Sequence, residues 1–249
     1  MKVVILAGGA GTRLGEVTKI MPKPMVKIGG KPILWHIMKI YSHYGYNDFV
    51  ICLGYKGNII KKYFNSYKVK NPGANAETHK IGKDSWKVAL VDTGKDSLTA
   101  LRIQKIRKYL GNEDFMLTYG DGVSNINIKK LVAFHENKKK LVTVTGVQPM
   151  GRFGALEIGK NCKVRSFNEK PREGWINGGF FVLKPGIFNY FKKDENVLWE
   201  KEPVTRIVKA NQVVVFKHNG FWQPMDTLRD KNHLDELWTS GKASWRIWR

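Results

Sequence analysis

The sequence predicts an α/β fold: a doubly wound, mostly parallel sheet with a mixed C-terminal extension that closes a cleft. Three observations predict it. Val3–Ala7 is an unbroken apolar run that starts almost at the N-terminus and runs straight into Gly8, Gly9 and Gly11, as suits a strand buried on both faces of a parallel sheet. Short apolar runs then alternate with helical patterns as far as Val147, and such alternation implies right-handed crossovers within one sheet. From Gly151 onward the apolar runs shorten and are linked by turns, so the second half is expected to fold back on the same sheet.

Each element has its own signal. Val26-Lys-Ile-Gly-Gly30 reads as a short extended piece with a turn. A helix is expected from Pro32, at home in a first turn, to about Tyr44, with Gly45 as terminator. Ile33, Leu34, Ile37 and Ile40 give it an apolar face, and His36 on the same stretch reads as a packing or capping histidine. Phe49–Leu53 is a second strand, and a helix follows that ends near Phe64. Residues 65–86 are polar and carry Pro72, Gly73 and Gly82; they read as an irregular surface excursion. Strands are expected at Val88–Val91, Phe115–Thr118 and Leu141–Val147, with helices at about Leu98–Tyr109 and Ile128–Lys139. Later come short strands at Arg152–Glu157, Lys163–Phe167, Gly178–Leu183 and Val213–Phe216, then a helix from Thr227 to Trp238. No linker rich in Pro, Ser or Gly and no internal repeat interrupts the 249 residues, so a single domain over 1–249 is expected, with halves 1–150 and 151–249.

Composition excludes several classes. No apolar stretch approaches the ~20 residues of a membrane span, and Val3–Ala7 is too short for the apolar region of a signal peptide; a cytoplasmic protein is expected. Cys52 and Cys162 are the two cysteines, far apart. They make neither a disulfide framework nor a zinc site and read as reduced, buried thiols. The net charge is +22, from 43 Lys and Arg against 21 Asp and Glu. Anionic substrates account for a handful of cations. The rest are scattered in pairs such as Lys61-Lys62 and Lys192-Lys193, without one aromatic-interleaved stripe, so solvated helix faces explain them better than nucleic acid does.

The glycine loop is the first functional candidate. A strand that ends in glycines leaves side chains out so that a phosphate can approach the main-chain N–H groups. Arg13 and Lys23 add positive charge beside it. It is not a dinucleotide loop, because Leu14 stands where the third glycine belongs. Nor is it a Walker A loop, because the Gly-Lys pairs are followed by Pro32, Asp84, Asp96, Asn161 and Ala243. The loop, Asp92-Thr93-Gly94 and Gly120-Asp121 all fall at C-terminal strand ends, where ligands of doubly wound sheets bind. Asp121, between two glycines, and Asp226, before a helix, suit a magnesium pair if the fold unites them. They are equally a turn aspartate and a helix N-cap.

Gly8-Gly-Ala-Gly-Thr-Arg-Leu14 with Pro22-Lys-Pro24 resembles the signature of the sugar-nucleotide pyrophosphorylases, and Glu169-Lys170-Pro171 is similar to their sugar-site motif. Val91-Asp-Thr-Gly94, Thr118-Tyr-Gly-Asp-Gly122, Gly151-Arg-Phe-Gly154, Ile176-Asn-Gly-Gly-Phe-Phe181 and Gly220-Phe-Trp-Gln-Pro-Met-Asp226 resemble the cytidylyl branch. The resemblance spans nearly the whole chain and is weakest over residues 65–86. It implies a Rossmann-like fold of the nucleotide-diphospho-sugar transferase type. It also implies transfer of CMP from CTP to a sugar 1-phosphate, glucose 1-phosphate in this branch, with Mg2+ as cofactor and a homo-oligomer, a hexamer being one form.

By that resemblance Leu6, Ala7, Gly8, Gly9, Ala10 and Gly11 hold the nucleotide, Thr12, Arg13 and Lys23 face its phosphates, and Ser97, Arg102 and Gly120 complete its site. Asp121 and Asp226 hold the metal; Gly154, Glu169, Lys170 and Asn177 meet the sugar phosphate. Thr99-Ala-Leu-Arg102 stands where the family usually has Thr-Gly-Gly-Arg, so Ala100 and Leu101 are expected to narrow the nucleotide pocket or shift the segment. Another sugar 1-phosphate or nucleoside triphosphate, a non-catalytic regulator that binds a sugar nucleotide, and a basic nucleic-acid binder are the alternatives, in falling order.

Overall fold

The structure is a computed structural model describing residues 1–69, 77–81, 84–149, 155–168 and 174–248. Strand β1 (Val3–Leu6) is buried throughout. Its alternation splits the core: Val3 and Ile5 pack in one layer, Val4 and Leu6 in the other. A 3-10 turn, α1 (Glu16–Ile20) and a second 3-10 turn at Lys23–Met25 carry the chain across the strand end. β2 (Lys27–Ile28) and β3 (Lys31–Pro32) pair across Gly29 and Gly30, whose φ of 56° and 80° only glycine adopts freely. Helix α2 (Ile33–His43) follows Pro32 directly and buries Ile33, Leu34, Ile37 and Ile40, as its spacing predicts. β4 (Asp48–Leu53) and α3 (Gly57–Asn65) complete the next unit.

The expected excursion over 65–86 is different where it is described. β5 (Lys68–Val69), β6 (Glu77–Ile81) and β7 (Asp84–Asp92) pair antiparallel in series. β5 and β6 are short and rich in polar residues, as strands toward a sheet edge are, whereas β7 contains the predicted Val88–Val91 run and lies between β4 and β6. Trp86, fully buried with its Nε1 donating to Ser42 Oγ at 3.1 Å, anchors it. The expected helix at 98–109 is two pieces, α4 (Thr99–Lys105) and α5 (Arg107–Leu110), broken at Ile106.

β8 (Phe115–Tyr119), β9 (Gly122–Ser124), α6 (Ile128–Lys138) and β10 (Val142–Val147) follow. The Asn127 side chain caps α6 by accepting from Lys130 N. β11 (Ala155–Ile158) and β12 (Val164–Asn168) form a separate antiparallel pair. β13 (Ile176–Asn177), β14 (Phe181–Leu183), α7 (Glu202–Lys209), β15 (Val213–His218), β16 (Trp222–Pro224) and α8 (Leu228–Thr239) end the chain. Helix α7 is not among the predicted elements; Pro203 near its start suits a first turn.

Among the described residues the main sheet runs β13-β10-β14-β8-β1-β4-β7-β6-β5, with β15 on β10. β8, β1, β4 and β7 are mutually parallel neighbours. β14 lies antiparallel between β8 and β10, so the second half does fold back on the sheet as a mixed extension. The chain winds outward through β4 and β7, then returns to β8 on the other side of β1. That reversal puts the crevice at the C-terminal ends of β1 and β8.

Two side-chain expectations meet the structure here. Cys52 is buried, with its thiol pushed up to about 12 by burial. Cys162 is exposed, contrary to expectation, because it sits in a turn with φ of 55° rather than in a strand core. His36 is a packing histidine: fully buried, its Nε2 donates to Ile28 O at 2.9 Å and its Nδ1 accepts from Trp245 Nε1 at 3.3 Å. Burial pulls it down to about 4, against the hydrogen bond to Ile28, which raises it. The unfolded chain takes this proton near 6.5 and the folded chain only near 4, so stability is lost as pH falls through that window. The loss amounts to roughly 3 kcal/mol. Urea melts at pH 7.5, 5.5 and 4.5 are expected to show this slope in the wild type and its absence in His36→Gln; His135 and His218, also lowered by burial, cancel in the difference.

Candidate active site

The site is built on the turn after β1. Ala7 N donates to Cys52 O at 3.1 Å, and Gly8 O accepts from Tyr55 N at 3.0 Å, so the turn is tied to β4. Gly11 has φ of 63°, and a Cβ there would lie 2.9 Å from Lys23 Cβ. Gly9 has open space where a side chain would stand. The loop borders a cleft of about 330 Å³.

Of the residues expected to hold a nucleotide, Leu6, Ala7, Gly8, Gly9, Gly11, Thr12, Arg13, Lys23, Ser97, Arg102 and Gly120 line this cleft, together with Asp121. Ala10 is not among the lining residues. Gly120 fits because a Cβ there would lie 3.0 Å from Leu6 O. Ala100 and Leu101 do not narrow the pocket. The cleft is lined by their neighbours Leu98, Thr99 and Arg102, while Ala100 is fully buried and donates its N–H to Val197 O at 3.0 Å.

Asp121 and Asp226 are brought together by a pairing that no local pattern signals. β9 and β16 run antiparallel, with Pro224 opposite Gly122, and Met225 N donates to Asp121 O at 2.8 Å. The helix cap of α8 is Thr227, in a capping box with Asp230, which leaves the Asp226 side chain for the cleft. Lys23 Nζ donates to Asp121 Oδ2 at 2.7 Å and to Asp226 Oδ1 at 2.6 Å; Arg13 Nη1 donates to Asp226 Oδ2 at 2.7 Å. Lys23 is nearly buried, its side chain 8% exposed, whereas that of Arg13 is 72% exposed.

Arg102 serves the loop from below. It is 3% exposed and donates to Leu53 O, Thr93 Oγ1 and Gly94 O from Nη1, and to Gly8 O and Lys95 O from Nη2, at 2.6 to 3.3 Å. Burial lowers its pKa from the ordinary value. Ser97 Oγ likewise donates to Thr93 O, at 2.5 Å.

Sequence reasoning misses one wall. Tyr119 and Leu198 line the cleft. The Tyr119 hydroxyl donates to Glu200 Oε1 at 2.5 Å and accepts from Asn177 Nδ2 at 3.0 Å, and Thr99 Oγ1 donates to Glu200 Oε2 at 3.2 Å. Burial raises the Tyr119 pKa, and Glu200 adds to the rise. Tyr119 stood beside Gly120-Asp121 and was findable by that adjacency; Leu198 and Glu200 carried no motif. Asn177 thus reaches the cleft through Tyr119. Gly154, Glu169 and Lys170 lie outside the described residues.

The sequence profile of the nucleotidyl transferases matches residues 2–230. The chain belongs to the nucleotidyl transferase family. It is 48% identical over 258 residues to the glucose-1-phosphate cytidylyltransferase of Salmonella typhimurium, with 100% of each chain covered. The glucose-1-phosphate cytidylyltransferase of Salmonella typhi is likewise 48% identical over 258 residues at full coverage of both. In fold it is similar to a solved UDP-glucose pyrophosphorylase complexed with UDP-glucose, at a TM-score of 0.70 and 16% identity, covering 96% of this chain and 98% of that one.

Gly8 and Gly9 make a contrasting test. A Cβ on Gly8 would lie 2.2 Å from Arg102 Nη1, so Gly8→Ala is expected to destabilise by about 1–3 kcal/mol. A Cβ on Gly9 meets nothing within 4 Å, so Gly9→Ala is expected to leave the melting temperature unchanged. Equal melting temperatures for the two variants would refute the close approach of Arg102.

Proposed function

We propose that the chain transfers CMP from CTP to α-D-glucose 1-phosphate, giving CDP-glucose and pyrophosphate. The observation that carries the chemistry is the meeting of Asp121, Asp226, Lys23 and Arg13 beside the glycine loop. The full-length identity to cytidylyltransferases supports the choice of CTP and glucose 1-phosphate.

The nucleophile is a sugar phosphate oxygen that is already anionic, so no general base is needed. The barrier lies in bringing two polyanions together and placing them in line. In this reading the main-chain groups of Leu6 to Gly11, with Ala10 on the turn, cradle the triphosphate. Arg13 and Lys23 stabilise charge on the departing pyrophosphate. Ser97 and Gly120 bound the nucleoside; Gly154, Glu169, Lys170 and Asn177 take the sugar phosphate, and a carboxylate such as Glu169 can accept from two sugar hydroxyls. Residues 1–150 then serve the nucleotide and 151–249 the sugar phosphate, in a cytoplasmic homo-oligomer.

The residues fit a divalent cation. Two carboxylates from distant parts of the chain already converge on one cationic nitrogen, that of Lys23, and magnesium working on phosphates asks for one or two carboxylates. Asp121 and Asp226 would hold Mg2+, which when bound supplies charge neutralisation at the phosphates.

Pyrophosphate release tests the reading, with CTP, UTP, dTTP, ATP and GTP each crossed with several sugar 1-phosphates. Preference for CTP with glucose 1-phosphate is the expected result. A different best pair would reassign the substrates, and no turnover with any pair would favour a sugar-nucleotide-binding regulator.

A further inference from the structure

We propose that Lys23 is a built-in placeholder cation: its ammonium holds Asp121 and Asp226 together in the free protein, excludes a bare divalent ion, and moves to the nucleotide's phosphates when these arrive. The inference rests on the reading of the two aspartates as metal carboxylates.

The geometry has three parts. First, the two carboxylates come from different parts of the chain and face one point, where they repel unless a cation lies between them. Lys23 Nζ is that cation, at 2.7 and 2.6 Å from one oxygen of each. Second, the pair is already balanced: Arg13 takes the remaining oxygen of Asp226 at 2.7 Å, so two cationic groups serve two carboxylates. A divalent ion arriving alone would meet an ammonium within contact distance of both its ligands, and like charges at that range are strongly unfavourable in a half-buried site. Third, only the end of Lys23 is placed to move. Its stem is fixed in the 3-10 turn between Pro22 and Val26 and packs against Gly11, where a Cβ would lie 2.9 Å from Lys23 Cβ and 3.4 Å from Cδ. The ammonium end borders the cleft that the glycine loop also lines.

A triphosphate changes the balance. It offers Lys23 and Arg13 a new anionic partner at the same cleft wall, and the carboxylates are then free to take a divalent ion carried with the phosphates. Metal and nucleotide therefore bind as coupled ligands, each raising the affinity for the other, with Lys23 as the element whose two positions carry the coupling.

The test uses Mn2+ as probe, with no nucleotide present, read by electron paramagnetic resonance of the free ion. Wild-type protein is expected to bind Mn2+ weakly, and Lys23→Gln and Lys23→Met at least about tenfold more tightly, because the competing ammonium is gone. Adding Asp121→Asn to either variant is expected to abolish the gain. Equal or weaker Mn2+ binding by the Lys23 variants overturns the proposal. If those variants fold only with Mn2+ present, the ion is replacing the ammonium between the carboxylates, which supports it; failure to fold with Mn2+ as without counts against it. Tight Mn2+ binding that survives Asp121→Asn would instead overturn the metal assignment under the proposed reaction, and a changed substrate preference would touch neither result.

Discussion

Asp121→Asn is expected to lower pyrophosphate release about a thousandfold or more while leaving the melting temperature nearly unchanged. The asymmetry follows from the geometry. An amide keeps the shape of the carboxylate but gives up the charge that a divalent ion needs, and that charge acts where the transferring phosphate bears its own. The fold loses little, because Lys23 keeps its contact with Asp226 at 2.6 Å, so no buried charge is left unpaired, and the Asp121 side chain is 31% exposed, so water reaches the amide that replaces it. The loss should fall on kcat rather than on KM for the sugar phosphate, the mark of an interaction made chiefly in the transition state. Asp226→Asn is expected to match it in rate and to differ in stability, because Asp226 engages both Lys23 and Arg13. Steady-state kinetics with CTP, glucose 1-phosphate and Mg2+, beside thermal melts of the same samples, separate the two effects. Turnover within tenfold of wild type in Asp121→Asn would sink the metal assignment.

The parts of this site that the sequence made legible share a cause. β1 and its loop are readable because a strand buried on both faces must be apolar throughout, and a phosphate-cradling turn must be bare; both demands write themselves into consecutive residues. The same holds for α2, whose spacing of Ile33, Leu34, Ile37 and Ile40 states which face is buried. What stayed illegible depends on distant partners. Nothing local in Trp222–Pro224 announces a strand, because its three residues pair only with Gly122–Ser124, about a hundred positions earlier; yet that pairing is what sets Asp226 beside Asp121. Glu77–Ile81 carries no unbroken apolar run because it lies near the end of the sheet, between the two-residue strand β5 and β7. Ala100 and Leu101 looked like intrusions into the pocket when only motif order was in view. The turn of α4 instead buries Ala100 and presents Thr99 and Arg102 to the cleft.

Arg102→Met is expected to destabilise the protein by about 3–5 kcal/mol, since each buried acceptor left without its donor costs ~1–3 kcal/mol and several lose theirs together. For a chain of this size that lowers the melting temperature by on the order of 10 °C. The guanidinium gathers the carbonyls of Gly8, Leu53, Gly94 and Lys95 and the hydroxyl of Thr93. It therefore ties the glycine loop to the ends of β4 and β7, and methionine fills the volume while leaving those acceptors without a donor. Arg102→Lys, with one point of charge and no planar fork, is expected to fall between. Amide hydrogen exchange of the ligand-free protein distinguishes this positioning role from a direct contact with phosphate. Ala7 N and Tyr55 N hold the turn through Cys52 O and Gly8 O. A guanidinium that only touched the phosphates would, when replaced by lysine, weaken CTP binding and leave exchange at these two amides unchanged. A guanidinium that sets the loop protects them before any ligand arrives, because local opening of the turn then costs less without it. Faster exchange at Ala7 and Tyr55 in Arg102→Lys is the expected result, and unchanged exchange beside weakened CTP binding would place Arg102 on the substrate instead.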